Sequence, residues 1–417
     1  MASPMPSIRT CSPHPPVPEA DVMTSSEQAG PTPLAQNYDV IFEVPDPRCY
    51  TPAASLVRLP DGALLSSFAL MTRVDLTPGV PDREAETIFR VSGDDGRTWQ
   101  TRSTLPVGDG LLFVHDGRVH LLGNREGRRD LVLSTSEDGA RTWSAPVTLF
   151  EGRFWNTFTP HAVRDRTLYW AVGAPNENGN FNRSGSRIAA IAGDLGSDLT
   201  DPRGWRLSEL LTYPGTPAGM SAGLTTPAVD DGGDHWLEPN VVNVDGRVRA
   251  VVRLRVDGQT TSHLCAMCDV DDDGRDLALR FTQFHPIPGN CYFHIIRDGP
   301  AGYYWTTTNL PTRTQQLDWG RGTPERCMLG GSGNERRFLM LNYSADALNW
   351  FPAGCVARWP HLHQGLQYNA LLVDGDDLLI SSRTSKDRPN QHDNDLVTLH
   401  RVGNFRALAM DLGAADG

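Results

Sequence analysis

Short apolar runs separated by turn residues recur along almost the whole chain. Each unit opens with an apolar stretch, turns, and returns in a second stretch, and another hairpin follows. The first unit runs over Ala54–Phe68 and then Glu86–Thr104. The second runs over Gly110–Arg125, turning at Asp116-Gly117, and then Asp130–Phe150. The third covers Thr159–Ala174 and Ser186–Leu211; the fourth covers Trp236–Val256, turning at Asp245-Gly246, and Thr261–Phe284. The fifth covers Asn290–Leu310 and Glu335–Ala357; the sixth covers Gln367–Arg383, turning at Asp374–Asp377, and Asn394–Ala407. Asp-Gly between apolar runs signals a hairpin, because the turn needs φ > 0 and Gly supplies it without steric cost. Four-stranded units repeating about every sixty residues predict an all-β chain, a six-bladed β-propeller with antiparallel blades. A seventh blade would need strands between Leu310 and Glu335, and six fits the pattern better. Tyr38–Val44 alternates as a strand ahead of the first unit. It is expected to complete the sixth blade and leave no open edge.

Composition narrows the picture. The chain has 417 residues, 39% of them hydrophobic, enough to bury a core. Its 40 Gly and 31 Pro fall between the apolar runs, which favours turns over long helices. Residues 1–36 are rich in Pro, Ser and Thr and read as a disordered tail; 37–411 form the propeller and 412–417 a short C-terminal tail. The first 36 residues lack the apolar core of a secretion signal, and no stretch is long and apolar enough to cross a membrane. The expectation is a cytoplasmic protein with no membrane partner. A net charge of -12 without any Lys/Arg block argues against nucleic acid. Seven cysteines make no disulfide framework. Cys265 and Cys268 form a lone C-x-x-C and read as small apolar strand residues. Asp271–Gly274 lacks the later Glu of a calcium loop. No metal and no cofactor is expected, and the oligomeric state is not legible.

Ser92-Gly-Asp-Asp-Gly-Arg-Thr-Trp99 fits the Asp-box pattern S-x-D-x-G-x-T-W at every fixed position. Ser136–Trp143 fits it with Ala140 in the Gly place, and Ser344–Trp350 is a shortened copy. These segments, with Trp236–Val242, Phe293–Asp298, Tyr304–Asn309 and His392–Val402, resemble sialidase-like, BNR-repeat propellers of bacteria. In that family the box closes the turn between the third and fourth strands of a blade, so its residues are structural.

The resemblance implies a Tyr–Glu pair as nucleophile and base, an Asp acid, and three arginines clamping a substrate carboxylate. Glu238, opening the inner strand of blade four, matches the Glu. Tyr368, opening that of blade six, matches the Tyr. Arg253 or Arg255 matches the second arginine, and Asp75 or Asp82 would supply the acid. The first arginine is replaced by Pro52, with Arg48 or Arg73 as substitutes, and the third by Tyr292 and His294. Losing two clamps argues against ordinary sialic acid cleavage. The remaining polar and aromatic residues at the inner-strand starts suit sugars. They are Asn156, Thr159, His161, Trp236, Asn240, Asn309, Asn369, Arg383 and the pair His392 and Asp393. His161 and His294 are candidates for acid–base work, each balanced by a structural role. The reading is an exo-glycosidase removing a terminal, acidic sugar from a glycan. The alternatives are a polysaccharide lyase using Tyr or His as base, and a non-catalytic glycan-binding propeller. A buried Glu238–Arg253 ion pair would favour the last.

Overall fold

A computed structural model describes residues 32–72, 86–125, 128–155, 157–217, 233–256, 263–289, 291–299, 302–312 and 335–410. From Pro33 onward, six of the antiparallel sheets among the described residues are the blades of a propeller, and Cys49–Tyr50 with Met71–Thr72 form a separate two-stranded one. The innermost strands, in blade order, are Ser55–Arg58, Gly108–His115, Ala162–Arg164, His235–Val244, Ile296–Arg297 and Gly365–Asp374. In blade six the outermost strand is Asp39–Glu43, which pairs with Leu396–Val402, so the two ends of the propeller close the ring in one sheet. Leu34 and Ala35 donate backbone bonds to Cys355 and Val356, extending this closure onto the outer strand of blade five.

Alternation along the strands puts apolar side chains on both faces of each blade, and the blades stack through them. Among the described residues six buried clusters result, one between each pair of neighbours, and a smaller seventh gathers Ala53, Phe158 and Tyr292. Trp170, Phe154 and Leu131 share one, Trp236, Tyr169 and Val252 the next, and Trp305, Leu341 and Leu371 another. The expected hairpin turns form, with Asp116 and Asp245 at φ 48° and 49° ahead of their glycines. The turns after the third strands of blades one, two and five close alike. Ser92 donates to Asp94 (2.7 Å), and Asp94 accepts from the Thr98 amide and hydroxyl. Asp138 does the same for Ser136 and Thr142, while Trp143 reaches Ser103 of the preceding blade.

A second device joins the innermost strands. A side chain of one blade accepts the backbone N–H of the next: Ser55 Oγ from Leu112 (2.9 Å) and Asn240 Oδ1 from Ile295 (2.9 Å). These amides are buried, so each needs a partner. Blade five departs from expectation. Only Ile296–Arg297 pair as its inner strand, and residues 291–295 form a connection with Cys291 at φ 76°. With the Ile295 N–H bonded to Asn240, these residues follow blade four and leave their own hairpin. Cys265 and Cys268 are buried and free on one strand, with Cys265 Sγ 3.1 Å from His285 Nε2.

Replacing Ser55 with Ala leaves the buried Leu112 N–H without its acceptor. It should cost about 1–3 kcal/mol in urea unfolding, read as a lower midpoint at unchanged slope.

Candidate functional site

Antiparallel strands alternate in direction, so the connections between blades and those joining second to third strands lie at one end of the ring. The candidate residues gather there. Glu238 and Tyr368 sit near the starts of their innermost strands, and both adopt left-handed backbone, φ 48° and 50°. In each strand the ladder breaks at this residue, between Leu237 and Pro239 and between Gln367 and Ala370. A non-glycine residue in this region is strained, and such strain persists where the surroundings impose it. The break turns one side chain away from the strand's alternation.

The two side chains converge on Arg253, near the end of the second strand of blade four. Arg253 Nη1 lies 2.7 Å from Glu238 Oε2 and 3.4 Å from the Tyr368 hydroxyl. Glu238 and Arg253 are buried, whereas Tyr368 keeps part of its surface. Tyr292 stacks on Tyr368 with centroids 5.1 Å apart, and Phe158 meets both rings edge-on. Two more guanidiniums lie over the Tyr368 ring, Arg383 at 5.0 Å and Arg336 at 5.7 Å from its centroid. Arg336 bonds Gln367, and Arg383 also stacks on Tyr50 and bonds His392. His392 lies 2.9 Å from Asp393, which Asn390 orients.

Burial and the charge of Glu238 push the Tyr368 phenol up to about 12, against the opposing pull of Arg253 and Arg336. The phenol therefore keeps its proton near neutrality. Burial pulls the Arg253 guanidinium down, and the neighbouring Glu238 outweighs it and raises the group above its ordinary range.

The other expected residues have different surroundings. Trp236 is buried between blades three and four, against Tyr213, and donates to Ser186 O. Asn240 joins blades four and five. Asn309 stands at the end of a second strand, its amide nitrogen shared among Arg336, Phe338 and Leu366 carbonyls. Arg255 lies two residues beyond Arg253, opposite His235. Exposed Arg48 is paired with Asp46. Asn369 is buried beside Tyr368, and neither of its amide atoms has a hydrogen-bond partner among the described residues. Asp75, Asp82, Arg73 and Asn156 lie outside the described residues.

His294 Nδ1 is 3.4 Å from the Leu371 N–H, which makes that nitrogen an acceptor, and His161 tilts against Phe113. Burial holds His161 at about 4 and His294 at about 3. His392 is lowered to about 3 by burial and by Arg383. Near neutrality these rings are uncharged and weakly basic, which suits hydrogen bonding better than proton abstraction.

Arg336, Phe158, Tyr50 and Gln367 were not among the expected site residues. Arg336 precedes the third strand of blade five, and a survey of innermost strands passes over it. The Glu335-Arg-Arg337 run at a strand start is the signal that marks it.

No protein-family model matches the sequence, and no curated protein is significantly similar to it. Solved structures share the fold. The α-L-arabinanase of Penicillium chrysogenum, complexed with arabinobiose, is 15% identical over 90% of this chain and 99% of its own, with a TM-score of 0.51. An α-L-arabinofuranosidase of Fusarium graminearum, solved as a mutant in complex with an iminosugar inhibitor, is 13% identical over 89% and 98%, with a TM-score of 0.51. The Trypanosoma rangeli sialidase, complexed with sialic acid, is 15% identical over 89% of this chain and has a TM-score of 0.53. This chain spans 57% of that sialidase's length. At these identities the likeness establishes the architecture.

The lowered histidines carry a signed consequence for stability. Unfolded, they titrate near 6.5; folded, His161 and His294 stay unprotonated to about 4 and 3. The unfolded chain therefore binds more protons below pH 6.5, and stability falls as the pH drops from there. Melting temperature should decline steadily between pH 6.5 and 4. His161→Gln should make that decline shallower.

Proposed function

We propose that the protein is an exo-acting glycoside hydrolase that removes a terminal acidic sugar, with Tyr368 as nucleophile and Glu238 as its base. The observation that carries this reading is the pair of left-handed register breaks that bring Glu238 and Tyr368 to one guanidinium. Packing alone gives no reason to strain two innermost strands at the residues that carry a carboxylate and a phenol. The raised phenol fits the same reading, because it demands a base at the moment of attack.

The step follows from these groups. The Tyr368 oxygen attacks the anomeric carbon while its proton passes to Glu238, and the bond to the leaving oxygen breaks. An acid protonates that oxygen; the resemblance gives this role to Asp75 or Asp82. Water then releases the sugar from the tyrosine, with the proton transfers reversed. Arg253, Arg336 and Arg383 surround the ring with positive charge. A planar carboxylate on the sugar suits such a surround, because each guanidinium offers a fixed fork. Three such cations supply the positive charge that two of the matching arginine positions lack. The close turns after the third strands support reading Ser92–Trp99 and Ser136–Trp143 as Asp-boxes, and with them the sialidase-like affiliation.

One observation favours a second reading, a glycan-binding propeller without turnover. The Glu238–Arg253 pair is buried, and such a pair also serves as a structural tie whose breaking would leave a buried charge. The weakly basic histidines give the lyase alternative no added support.

Turnover of a fluorogenic sialoside, with an arabinofuranoside as neutral comparison, separates these readings. Wild type should release the fluorophore from the acidic sugar. Tyr368→Phe and Glu238→Gln should each lower kcat by about 10²–10⁴-fold, with melting temperatures showing that the variants fold. Binding without release by the wild type would establish the second reading. Release from the neutral sugar alone would move the substrate class away from acidic sugars.

A further inference from the structure

The connections at the same end of blades two and three carry an arrangement that the catalytic reading does not use. Trp155 lies on the segment entering blade three and is only half-buried. Arg128, from the connection between the second and third strands of blade two, places its guanidinium carbon 4.3 Å from the Trp155 ring centroid. Phe181, from the corresponding connection of blade three, meets Trp155 edge-on at 5.7 Å. Arg153 lies over Phe181 at 5.1 Å.

The arrangement is built. Arg128 has φ 69°, a left-handed conformation that a long side chain seldom adopts. Arg153 is fixed by a bond from Nη1 to the Gly179 carbonyl (2.8 Å). That carbonyl belongs to a loop shaped by Asn176, whose Oδ1 accepts the amides of Asn178 and Asn180. Asp130, Glu151 and Glu177 lie on the same connections, yet none forms an ion pair with Arg128 or Arg153 among the described residues. Asp130 instead accepts the Gly152 amide. In a chain of net charge -12, two neighbouring guanidiniums held over aromatic faces without a carboxylate make a local concentration of positive charge. Stacking fixes the plane of a guanidinium and leaves its N–H groups directed along that plane, where a carboxylate or sulfate meets them.

Position links this ledge to the reaction site. Phe158, whose ring touches Tyr368, is three residues beyond Trp155, so their Cα atoms are at most about 11 Å apart. We propose that Arg128 and Arg153, stacked on Trp155 and Phe181, form an outer subsite for an anionic sugar of an extended acidic glycan. The proposal rests on the glycosidase reading for its place beside the terminal sugar. The substrate class is then a polyanionic chain, bound through a second charged residue as well as its end.

Calorimetric binding tests this without requiring turnover. The probes are a galacturonic acid trisaccharide, a chondroitin sulfate hexasaccharide and neutral arabinotriose. Wild type should bind both anionic probes at least tenfold more tightly than arabinotriose, with affinity falling as salt rises. Arg128→Gln with Arg153→Gln should remove that preference and flatten the salt dependence. Arg128→Lys with Arg153→Lys should restore it in part, since charge returns without the fork. Preference for the sulfated probe alone would name sulfate as the recognised group, and equal preference would name the shared negative charge. Equal binding of all three probes by the wild type would overturn the proposal, as would an unchanged preference in a folded Gln double variant. Charge-selective binding without any turnover would defeat the glycosidase reading and leave the subsite standing. Turnover with charge-blind binding would do the reverse.

Discussion

The structure depends on the closure of a ring. Every blade but one is built from a single continuous stretch, and the last takes Asp39–Glu43 from one end of the chain and Gly365–Val402 from the other. Without that pairing, blades one and six would each lose a face of their packing, and two sheet edges would be open to other chains. Closure also sets distances across the ring. Once six blades are stacked through their buried clusters, the starts of the innermost strands can approach one another only within narrow limits. Arg253 from blade four reaches Tyr368 from blade six, and the connection that precedes the short inner strand of blade five places Tyr292 against the same ring.

The same economy governs the electrostatics. Arg253, Arg336 and Arg383 are each nearly fully buried, a state that arginine rarely adopts without partners. Each has one: Glu238, Gln367 or His392. The arrangement keeps positive charge around an aromatic platform of Tyr368, Tyr292 and Phe158 while satisfying enough donors to be stable. The histidines nearby are kept neutral by the same burial. Charge at this end of the ring is therefore concentrated in groups that do not titrate near neutrality.

Much of this was legible beforehand. The hairpin turns at Asp116 and Asp245, the number of blades and the role of Tyr38–Val44 follow from local patterning, since a strand's alternation and a turn's need for φ > 0 are properties of short segments. Glu238 and Tyr368, and Arg253 as one of two choices with Arg255, were singled out through the family resemblance. Their meeting was not, because it depends on where separate blades place them. Trp236 shows the limit clearly. An aromatic residue next to a polar inner-strand start reads as a wall of the site, yet alternation turns it into the packing between blades. Arg336 was missed for the opposite reason: it precedes a third strand, where the topology returns the chain to the same end of the ring.

The register breaks at Glu238 and Tyr368 have a consequence for how such a fold changes over time. A break absorbs the odd residue and lets the ladder resume beyond it, so what that residue carries is largely uncoupled from the hydrogen bonds further along the strand. Blades four and six thus each hold one position whose side chain is set outside the strand's alternation while the sheet below keeps its pairing. A scaffold of this kind can be conserved in shape and diverge freely in what it acts upon.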